Sequence, residues 1–216
     1  MKIKRDFEDY STTDHIFTLL AVVQKQLSLN RKLYVAFNDF QKAFDSISRK
    51  LLWPILQKQD IRGKLFRCVK SMYEVVKARV RDGASLTASI HCLRGVKQGD
   101  VCSPILFPLF INELALDIIN NGKHGAILSS TIVKMFILLF ADDIILLSET
   151  AIGSQNQPSV LYKSSQKLKL KVNFDKSNII AFRKEGYLAA RERWFCGNDR
   201  IEVVNAYEYL GCAILP

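Results

Sequence analysis

Residues 138–150 read LLFADDIILLSET, and this stretch sets two adjacent carboxylates, Asp142 and Asp143, between two strongly apolar segments. The apolar segments 131–140 and 144–149 predict the two strands of a hairpin whose tip carries the aspartates. Burying neighbouring carboxylates at a strand end is costly unless cations compensate their charge. Paired aspartates in an arbitrary protein more often occupy a solvated turn, but the apolar flanks here favour a metal site.

A third carboxylate ends another apolar run. Residues 33–38, LYVAFN, predict a buried strand, and Asp39 follows it directly. Phosphoryl transfer by two Mg²⁺ ions, about 3.5–4 Å apart, needs more carboxylate oxygens than one pair of aspartates supplies. We therefore predict that Asp39 joins Asp142 and Asp143 in a site for two divalent ions, Mg²⁺ by preference and Mn²⁺ as an alternative.

The rest of the chain mixes helical and strand patterns, with no linker-like stretch between them. Strands mixed with helices and hairpins indicate an α+β fold in which helices cover one face of a sheet. Apolar periodicity and turn residues predict these further elements: helices near 14–29, 47–59, 62–76, 103–120 and 154–170, a hairpin over 76–92 that turns at 82–85, a strand at 178–182, and a last strand pair that includes 201–204 and 207–210.

The amino-acid composition limits the classes of function that the chain can have. The chain has 216 residues, a net charge of +10 and a pI of about 9.4. This basic excess favours a polyanionic partner, either nucleic acid or an anionic membrane surface. The 5 cysteines are odd in number and include no CxxC pair, which argues against a disulfide framework or a zinc site and favours a reducing, intracellular compartment. No uninterrupted apolar run approaches the length of a membrane span, so we expect no membrane partner.

Five segments resemble, in order and rough spacing, motifs A to E of the reverse transcriptases of non-LTR (LINE-type) retrotransposons. The segments are YVAFNDFQKAFDSI (34–47), GVKQGDVCSPILFPLFINEL (95–114), LLFADDIILLSET (138–150), LKLKVNFDKSNIIAF (168–182) and YEYLG (207–211). The similarity covers most of the chain. Any one motif could arise by chance, but five in the same order are specific to the family.

The resemblance implies an α+β polymerase palm, an antiparallel sheet with packed helices. Residues 1–32 would be a remnant of the fingers, 33–216 would be the palm with a fingers insertion near 60–95, and a thumb would be absent. The implied activity is that of an RNA-directed DNA polymerase, which transfers nucleotides from dNTPs to a primer 3′-hydroxyl by a two-metal mechanism. The implied partners are an RNA template and a DNA primer.

The resemblance also carries roles to individual residues. Asp39 and Asp142 would hold both ions directly, and Asp143 would be a weaker ligand. Phe44 would pack beneath the incoming sugar and exclude a 2′-hydroxyl, although an ordinary core phenylalanine fits the same pattern. Lys176 would protonate the leaving pyrophosphate, or else bind phosphate or stay solvated.

Two further motifs supply candidate substrate-binding residues. Gly95, Gln98 and Gly99 match the motif B loop, where glycines let the backbone pass close to a base pair and Gln98 can hydrogen-bond to substrate or template. Tyr209-Leu210-Gly211 matches the primer grip. Several basic side chains are expected to follow template–primer phosphates; the candidates are Arg49, Lys50, Lys77, Arg79, Arg81, Lys167, Lys169, Lys171, Arg183, Lys184, Arg191 and Arg193.

Three positions depart from the family pattern. Asn38 is polar where an apolar residue is usual, Pro158 falls in a segment that is usually helical, and Lys169 stands where glycine is common. These departures, with the expected lack of a thumb, leave open an inactive remnant that folds as a palm and at most binds nucleic acid. A viral RNA-dependent RNA polymerase palm is disfavoured, because Phe44 and Ala141 stand where such enzymes place a ribose-hydroxyl acceptor and a glycine.

Overall fold

The computed structural model describes residues 11–121, 125–127, 134–184 and 192–216. A capping box sets the start of the first helix, because Ser11 Oγ accepts a hydrogen bond from the Asp14 N–H and Asp14 Oδ2 accepts one from the Ser11 N–H. The helices of the described part are α1 (Thr12–Ser28), α2 (Ala43–Ser46), α3 (Arg49–Lys58), α4 (Gly63–Ser71), α5 (Ser103–Asn121) and α6 (Ala151–Leu168).

A mixed sheet of six strands organises the fold, in the order β11-β12-β10-β1-β9-β8. Within it β10 and β12 run parallel, and the other neighbours are antiparallel. The remaining strands pair as β2 with β5, β3 with β4, β6 with β7 and β13 with β14. The described strands are β1 (Leu33–Asn38), β2 (Lys77–Ala78), β3 (Arg81–Asp82), β4 (Ser85–Leu86), β5 (Ile90–His91), β6 (Ala126–Ile127), β7 (Lys134–Met135), β8 (Ile137–Phe140), β9 (Asp143–Ser148), β10 (Asn178–Phe182), β11 (Trp194–Cys196), β12 (Asp199–Val203), β13 (Tyr207–Tyr209) and β14 (Cys212–Ile214).

Side chains of β1 alternate between two layers of the core. Tyr34 and Ala36 pack into a cluster built with α3, α5 and α6, whereas Leu33, Val35 and Phe37 pack into a second cluster built with α1 and the hairpin β13–β14. Helices therefore lie on both faces of the sheet, and the expectation of helices on one face is wrong because α1 covers the other. With both faces covered, the central strand reads as a continuous apolar run rather than as an alternation.

Most predicted elements are confirmed with shifted ends. The predicted strands at 33–38 and 178–182 agree with β1 and β10, whereas the helix predicted over 62–76 ends at Ser71. Part of the strand predicted over 131–140 lies outside the described residues. Helix ends depend on local capping more than on apolar periodicity. The presence of a helix is therefore easier to predict from sequence than the residues at which it begins and ends.

The strand pairing predicted for 201–204 with 207–210 is wrong. In the structure β12 lies between β10 and β11, whereas β13 pairs with β14. A two-residue turn at Leu210-Gly211 closes β13 onto β14, with Tyr209 opposite Cys212. The turn lets the backbone of β13 form its hydrogen bonds with the adjacent β14. β12 pairs instead with β10 and β11 in the main sheet.

By length and composition α5 could cross a membrane, with a mean hydropathy of 1.3 over its 18-residue window. The apolar pattern of the sequence did not indicate this. In the fold α5 acts as a core helix, since Leu106, Phe107, Phe110, Ile111 and Leu114 are buried in the cluster that it shares with α3 and α6. Its position behind the sheet supports the strands that end at the candidate site.

Candidate active site

Asp39 and Asp143 come from neighbouring antiparallel strands. Asn38 ends β1 and lies opposite Ile144 of β9, so continuing this register puts Asp39 opposite Asp143. By the alternation of side chains, both aspartates belong to the sheet face that α1 and the hairpin β13–β14 cover. Two apolar strands thus deliver two of the predicted metal ligands to one end of the sheet.

Asp142 lies at the tip of the hairpin β8–β9. Phe140 pairs with Asp143, which leaves Ala141 and Asp142 as the two turn residues. Ala141 has a φ of 50°, the left-handed conformation that two-residue hairpin turns require at their first position. The predicted tight hairpin is confirmed, and it sets Asp142 beside Asp143.

Burial and neighbouring carboxylates shift the ionisation of Asp142 and Asp143. The pKa of Asp143 is raised to about 6, first by burial and then by the charges of Asp142 and Asp39. The pKa of Asp142 is raised as well, first by burial and then by the charge of Asp39. Lys176 opposes both shifts. Additional positive charge at this end of the sheet would therefore stabilise the ionised carboxylates.

Asp39 is held by the turn that follows the sixth helix. Asn173 Nδ2 donates a hydrogen bond to Asp39 Oδ2 at 3.1 Å, and the Asn173 N–H donates one to the Asp39 carbonyl at 2.9 Å. Lys176 Nζ lies 3.9 Å from the same Oδ2. The structure thus brings Lys176 to the site as predicted. Asn173 was missed, although its place three residues before Lys176 in the motif D segment could have indicated it.

Phe44 and the motif B loop line one pocket. Its volume is about 530 Å³, and its lining residues are Phe44, Gln98, Gly99, Asp100, Val101, Ser103 and Pro104. The Phe44 ring stacks on Phe107 of α5 with the ring centroids 4.4 Å apart, so a core helix fixes the orientation of the ring. Three predicted substrate-binding residues are therefore brought together here: Phe44, Gln98 and Gly99.

Gly95 has a packing role next to this pocket. Its φ is 79°, and a Cβ on it would lie 2.8 Å from the Asp45 Cα, so only glycine fits without a backbone shift. The Gly95 N–H donates a hydrogen bond to the Ile47 carbonyl at 2.9 Å. Gln98 Nε2 adds a longer contact of 3.4 Å to Asp45 Oδ2. The motif B loop is thus fastened to the segment that follows Asp39.

The predicted primer-grip residues form a hairpin tip. Leu210 and Gly211 have φ values of 50° and 80°, which is the pattern of a type I′ turn. Tyr209 is only 1% exposed and packs in the cluster with α1 and β1. Its ring therefore supports the hairpin from beneath, and the turn itself is the part that faces outward.

Tyr207 is a second residue that the sequence motifs did not single out. Its ring stacks on Phe37 of β1 with centroids 4.2 Å apart and an interplanar angle of 18°. Its hydroxyl donates a hydrogen bond to the Lys176 carbonyl at 3.0 Å. The pKa of Tyr207 is raised to about 12 by burial and by the charges of Asp143 and Asp39, which places the phenol near the carboxylates.

Comparison with known proteins decides the family. The model of the family described as reverse transcriptase (RNA-dependent DNA polymerase) matches residues 3–214 of the chain.

This chain belongs to the reverse transcriptase family.

Its relatives confirm the resemblance to non-LTR retrotransposons. The chain is 28% identical over 170 residues to the Pol polyprotein of retrotransposable element R2 from Nasonia vitripennis, and 32% identical over 125 residues to that of element R2DM from Drosophila melanogaster. These matches cover 78% and 58% of this chain but only 16% and 11% of the two polyproteins. The chain thus spans less than a fifth of the length of these relatives.

Solved structures show the same fold. Apo telomerase from Candida tropicalis superposes with a TM-score of 0.64 at 15% identity, over 95% of this chain and 38% of the telomerase chain. A second C. tropicalis telomerase structure, in complex with a fragment of telomeric RNA, superposes with a TM-score of 0.58 at 16% identity. The match covers 78% of this chain and 29% of that one. At these identities the likeness concerns the fold, a reverse transcriptase α+β architecture.

The three carboxylates Asp39, Asp142 and Asp143 have the chemistry of a site for hard cations. Among the residues that the structure describes, no group of three or more His, Cys, Asp or Glu side chains stands in an arrangement that could hold a metal ion. Burial nevertheless raises the pKa values of Asp142 and Asp143, and neighbouring carboxylates raise them further. A cation near the carboxylates would offset both effects, so the chemistry of the donor set suits a divalent ion.

The Arg49 side chain is hydrogen-bonded inside the protein. Its guanidinium donates to the carbonyls of Gly95 at 2.8 Å, Cys92 at 2.9 Å, Arg94 at 3.0 Å and Tyr73 at 3.2 Å. These four carbonyls accept from the guanidinium N–H groups that would otherwise bind a phosphate. Arg49 therefore joins the segment before α5 to the start of α3 rather than presenting a free cation. Another of the basic candidates, at position 191, lies outside the described residues.

Proposed function

We propose that this chain is the catalytic core of an RNA-directed DNA polymerase that extends a primer 3′-hydroxyl with dNTPs. The observation that supports the proposal is the position of Asp39, Asp142 and Asp143 at one end of the sheet, where the pKa of Asp143 is raised to about 6 by burial and by the neighbouring carboxylates. Strongly perturbed pKa values at strand ends are typical of functional sites. The family membership supports the same reaction.

Asp39, Asp142 and Asp143 would hold two Mg²⁺ ions, which Mn²⁺ could replace. When bound, such ions lower the pKa of the attacking hydroxyl and stabilise the charge that develops on the transferring phosphoryl group. The protein's part is to orient the ligands. Asn173 does so for Asp39 by holding Oδ2 at 3.1 Å, in the way that hydrogen-bond partners behind a metal ligand commonly act.

Lys176 would assist the departure of pyrophosphate. In the proposed reaction the primer 3′-hydroxyl loses its proton to solvent and its oxygen forms a bond to the α-phosphorus of the dNTP, while the bond from that phosphorus to the pyrophosphate oxygen breaks. Lys176 would transfer a proton from Nζ to this leaving oxygen. Its side chain is 71% exposed, and its Nζ lies 3.9 Å from Asp39 Oδ2, so it can reach a substrate at the same end of the sheet. Phosphate binding without proton transfer is the alternative role.

Phe44 would select the sugar. The ring lines the pocket of about 530 Å³ together with Gln98 and Gly99, and its stack on Phe107 prevents it from swinging aside. A fixed ring beneath the sugar excludes a 2′-hydroxyl by steric conflict. Gln98 would hydrogen-bond to the nucleotide or to the template base.

The polymer partners would be an RNA template and a DNA primer. The net charge of +10 favours nucleic acid, and the similar telomerase from C. tropicalis has been solved with a fragment of telomeric RNA. The Leu210-Gly211 turn would support the primer backbone. In this proposal 33–216 form the palm, and residues 1–32 with an insertion near 60–95 belong to the fingers.

The test supplies the purified chain with poly(rA)/oligo(dT), dTTP and Mg²⁺. We expect incorporation that Asp142→Asn reduces by about 100-fold or more, since a lost metal ligand removes several kcal/mol of transition-state stabilisation. Asp82→Asn removes the same charge from an exposed position in β3 and should leave incorporation unchanged. Incorporation that survives Asp142→Asn would rule out the proposed site. Mn²⁺ binding, followed by electron paramagnetic resonance, tests the carboxylates independently of turnover.

A second candidate function is nucleic-acid binding without catalysis, and Asn38 favours it. This side chain is 3% exposed beside Asp39, and its Oδ1 has no hydrogen-bond partner among the described residues. An unsatisfied buried amide oxygen costs about 1–3 kcal/mol and disfavours the geometry around it. Binding of RNA or DNA that weakens with salt, without any nucleotide incorporation, would support this function. Binding with an affinity that is independent of ionic strength would exclude it.

A further inference from the structure

The hydroxyl of Tyr207 reaches the main chain of the residue proposed to act on the leaving group. Tyr207 Oη donates a hydrogen bond to the Lys176 carbonyl at 3.0 Å. The bond joins the edge of the hairpin β13–β14 to the turn that ends in Lys176, across 31 residues of sequence. It therefore constrains the position of the Lys176 backbone through tertiary structure rather than through local turn geometry.

The turn before Lys176 is short, and a hydrogen bond of 2.7 Å from Ser177 Oγ to the Asn173 carbonyl helps to close it. It is a single 3-10 turn, Phe174–Lys176, with no side-chain cap on its first residue. Its backbone bonds, from the Lys176 N–H to the Asn173 carbonyl and from the Ser177 N–H to the Phe174 carbonyl, are both 3.2 Å long. Short 3-10 turns have poorer hydrogen-bond geometry than α-helices, so an external bond has more influence on where such a turn lies.

The ring of Tyr207 is itself fixed to the strand that delivers Asp39. It stacks on Phe37 at a centroid separation of 4.2 Å, and Phe37 is 1% exposed in the core of the sheet. Phe37 lies two residues before Asp39 on β1. A rigid path therefore runs from the strand of Asp39 through the two stacked rings to the carbonyl of Lys176, and it is independent of the direct contact between Lys176 and Asp39.

The phenol is suited to donate this hydrogen bond at any physiological pH. Burial, with the charges of Asp143 and Asp39, raises the pKa of Tyr207 to about 12. A protonated phenol donates, whereas a phenolate would repel the carbonyl oxygen. Because the ordinary pKa of tyrosine, about 10, already lies above physiological pH, Tyr207 stays in the form that can hold Lys176.

We infer that Tyr207 is a positioning residue that fixes Lys176 relative to Asp39 for the release of pyrophosphate. The inference rests on the proposed polymerase function and deepens it. Tyr207 itself touches no reacting atom. It acts through the Lys176 backbone, and the stacked Phe37 sets the direction of its hydroxyl.

The first experiment measures amide hydrogen exchange in the full chain and in Tyr207→Phe, which keeps the stacked ring and removes the hydroxyl. Exchange over 173–177 should accelerate by roughly fivefold, the effect expected from one lost hydrogen bond, while 33–38 should keep its protection. Tyr34→Phe is the matched control, because it removes a hydroxyl that bonds Glu192 at 2.6 Å on the same strand as Phe37. Unchanged exchange over 173–177 in Tyr207→Phe would overturn the inference.

The second experiment separates positioning of Lys176 from a general loss of stability. Single-turnover incorporation is measured with two dTTP analogues, one with a CF₂ and one with a CH₂ bridge between the β- and γ-phosphorus atoms. The CH₂ analogue leaves as the stronger base and depends more on a proton donor. Tyr207→Phe should therefore slow the CH₂ analogue by roughly fivefold more than the CF₂ analogue, and Tyr34→Phe should slow both equally if at all.

A double variant completes the test. If Tyr207 acts through Lys176, Tyr207→Phe should have no further effect on the rate in a Lys176→Met background. Equal slowing of both analogues by Tyr207→Phe, or full additivity with Lys176→Met, would overturn the inference. If the unmodified chain incorporates no nucleotide, the proposed function fails, and the hydrogen-exchange result alone decides whether Tyr207 holds the Lys176 turn.

Discussion

Asn173 ties Asp39 to a turn that lies 134 residues further along the chain: its Nδ2 donates a hydrogen bond to Asp39 Oδ2 at 3.1 Å. Its backbone N–H also donates to the Asp39 carbonyl, at 2.9 Å. The carboxylate is therefore fixed at one oxygen, and its rotation about the Cβ–Cγ bond is restricted. An oriented carboxylate loses less entropy when it binds a cation than a freely rotating one does.

Asn173→Ala should weaken the binding of divalent ions. Loss of a partner that orients a ligand commonly lowers metal affinity by about 10-fold or more. Mn²⁺ titration followed by electron paramagnetic resonance measures this without requiring turnover. Asn121→Ala is the matched control, because it removes an amide that donates to the Asp117 carbonyl at 2.8 Å at the end of α5. Equal Mn²⁺ affinity in both variants would contradict the orienting role.

Phe44→Val should relax the selection of deoxynucleotides. The smaller side chain opens the pocket beneath the sugar, so the preference for dTTP over UTP should fall by about 10-fold or more. The ratio of kcat/KM for the two nucleotides is the measurement. Phe66→Val removes a ring that packs against Trp53, in a pair separate from the Phe44–Phe107 stack, and should leave the ratio unchanged. An unaltered ratio in Phe44→Val would argue that Phe44 is only a core residue.

The raised pKa of Asp143 makes stability depend on pH. Its folded pKa of about 6 lies above the value of about 3.9 expected in the unfolded chain, so the folded state binds more protons between these values. The free energy of unfolding should therefore fall as pH rises from about 4 to about 6. Urea unfolding across this range measures the slope. Asp143→Asn should reduce the slope of the free energy of unfolding against pH. An equal slope in Asp143→Asn and in the unmodified chain would contradict the raised pKa of Asp143.

Lys169→Gly should stabilise the protein. Lys169 ends α6 with φ 58° and ψ 31°, a left-handed conformation that glycine adopts without the steric cost of a Cβ. We expect a gain of about 1 kcal/mol in the free energy of unfolding, measured by urea denaturation. Lys169→Ala also removes the charge but keeps the Cβ, so it should give no gain. Equal effects of the two substitutions would point to charge rather than to backbone strain.

Arg49→Lys should destabilise the segment before α5 although it keeps the charge. A lysine ammonium cannot reproduce the planar fork that serves four carbonyls, so the free energy of unfolding should fall by about 2 kcal/mol. Hydrogen exchange over 92–96 should show the loss locally. Lys50→Ala, on the exposed neighbour, should change neither quantity. Wild-type stability in Arg49→Lys would restore Arg49 as a candidate for phosphate contact.

Local patterns account for the features that the amino-acid sequence predicts correctly. The apolar runs before Asp39 and around Asp142-Asp143 determined two buried strands and the carboxylates at their ends, because burial, strand propensity and turn chemistry depend on neighbouring residues. The same locality explains why the helix predicted near 103–120 agrees closely with α5, Ser103–Asn121. Spacing from Asp39 was likewise enough to select Phe44, which the structure finds with Gln98 and Gly99 around one pocket.

The sequence by itself therefore determined the family, the strand before Asp39 and the hairpin that carries Asp142 and Asp143. Only the tertiary structure decided which groups surround Asp39, because the bonds from Asn173 and Tyr207 join segments far apart in sequence and no periodicity encodes them. It also decided that Arg49 serves internal carbonyls and that α1 covers the second face of the sheet. Such partners depend on how the elements pack, and packing is set by the summed burial of the whole core rather than by any one stretch of residues.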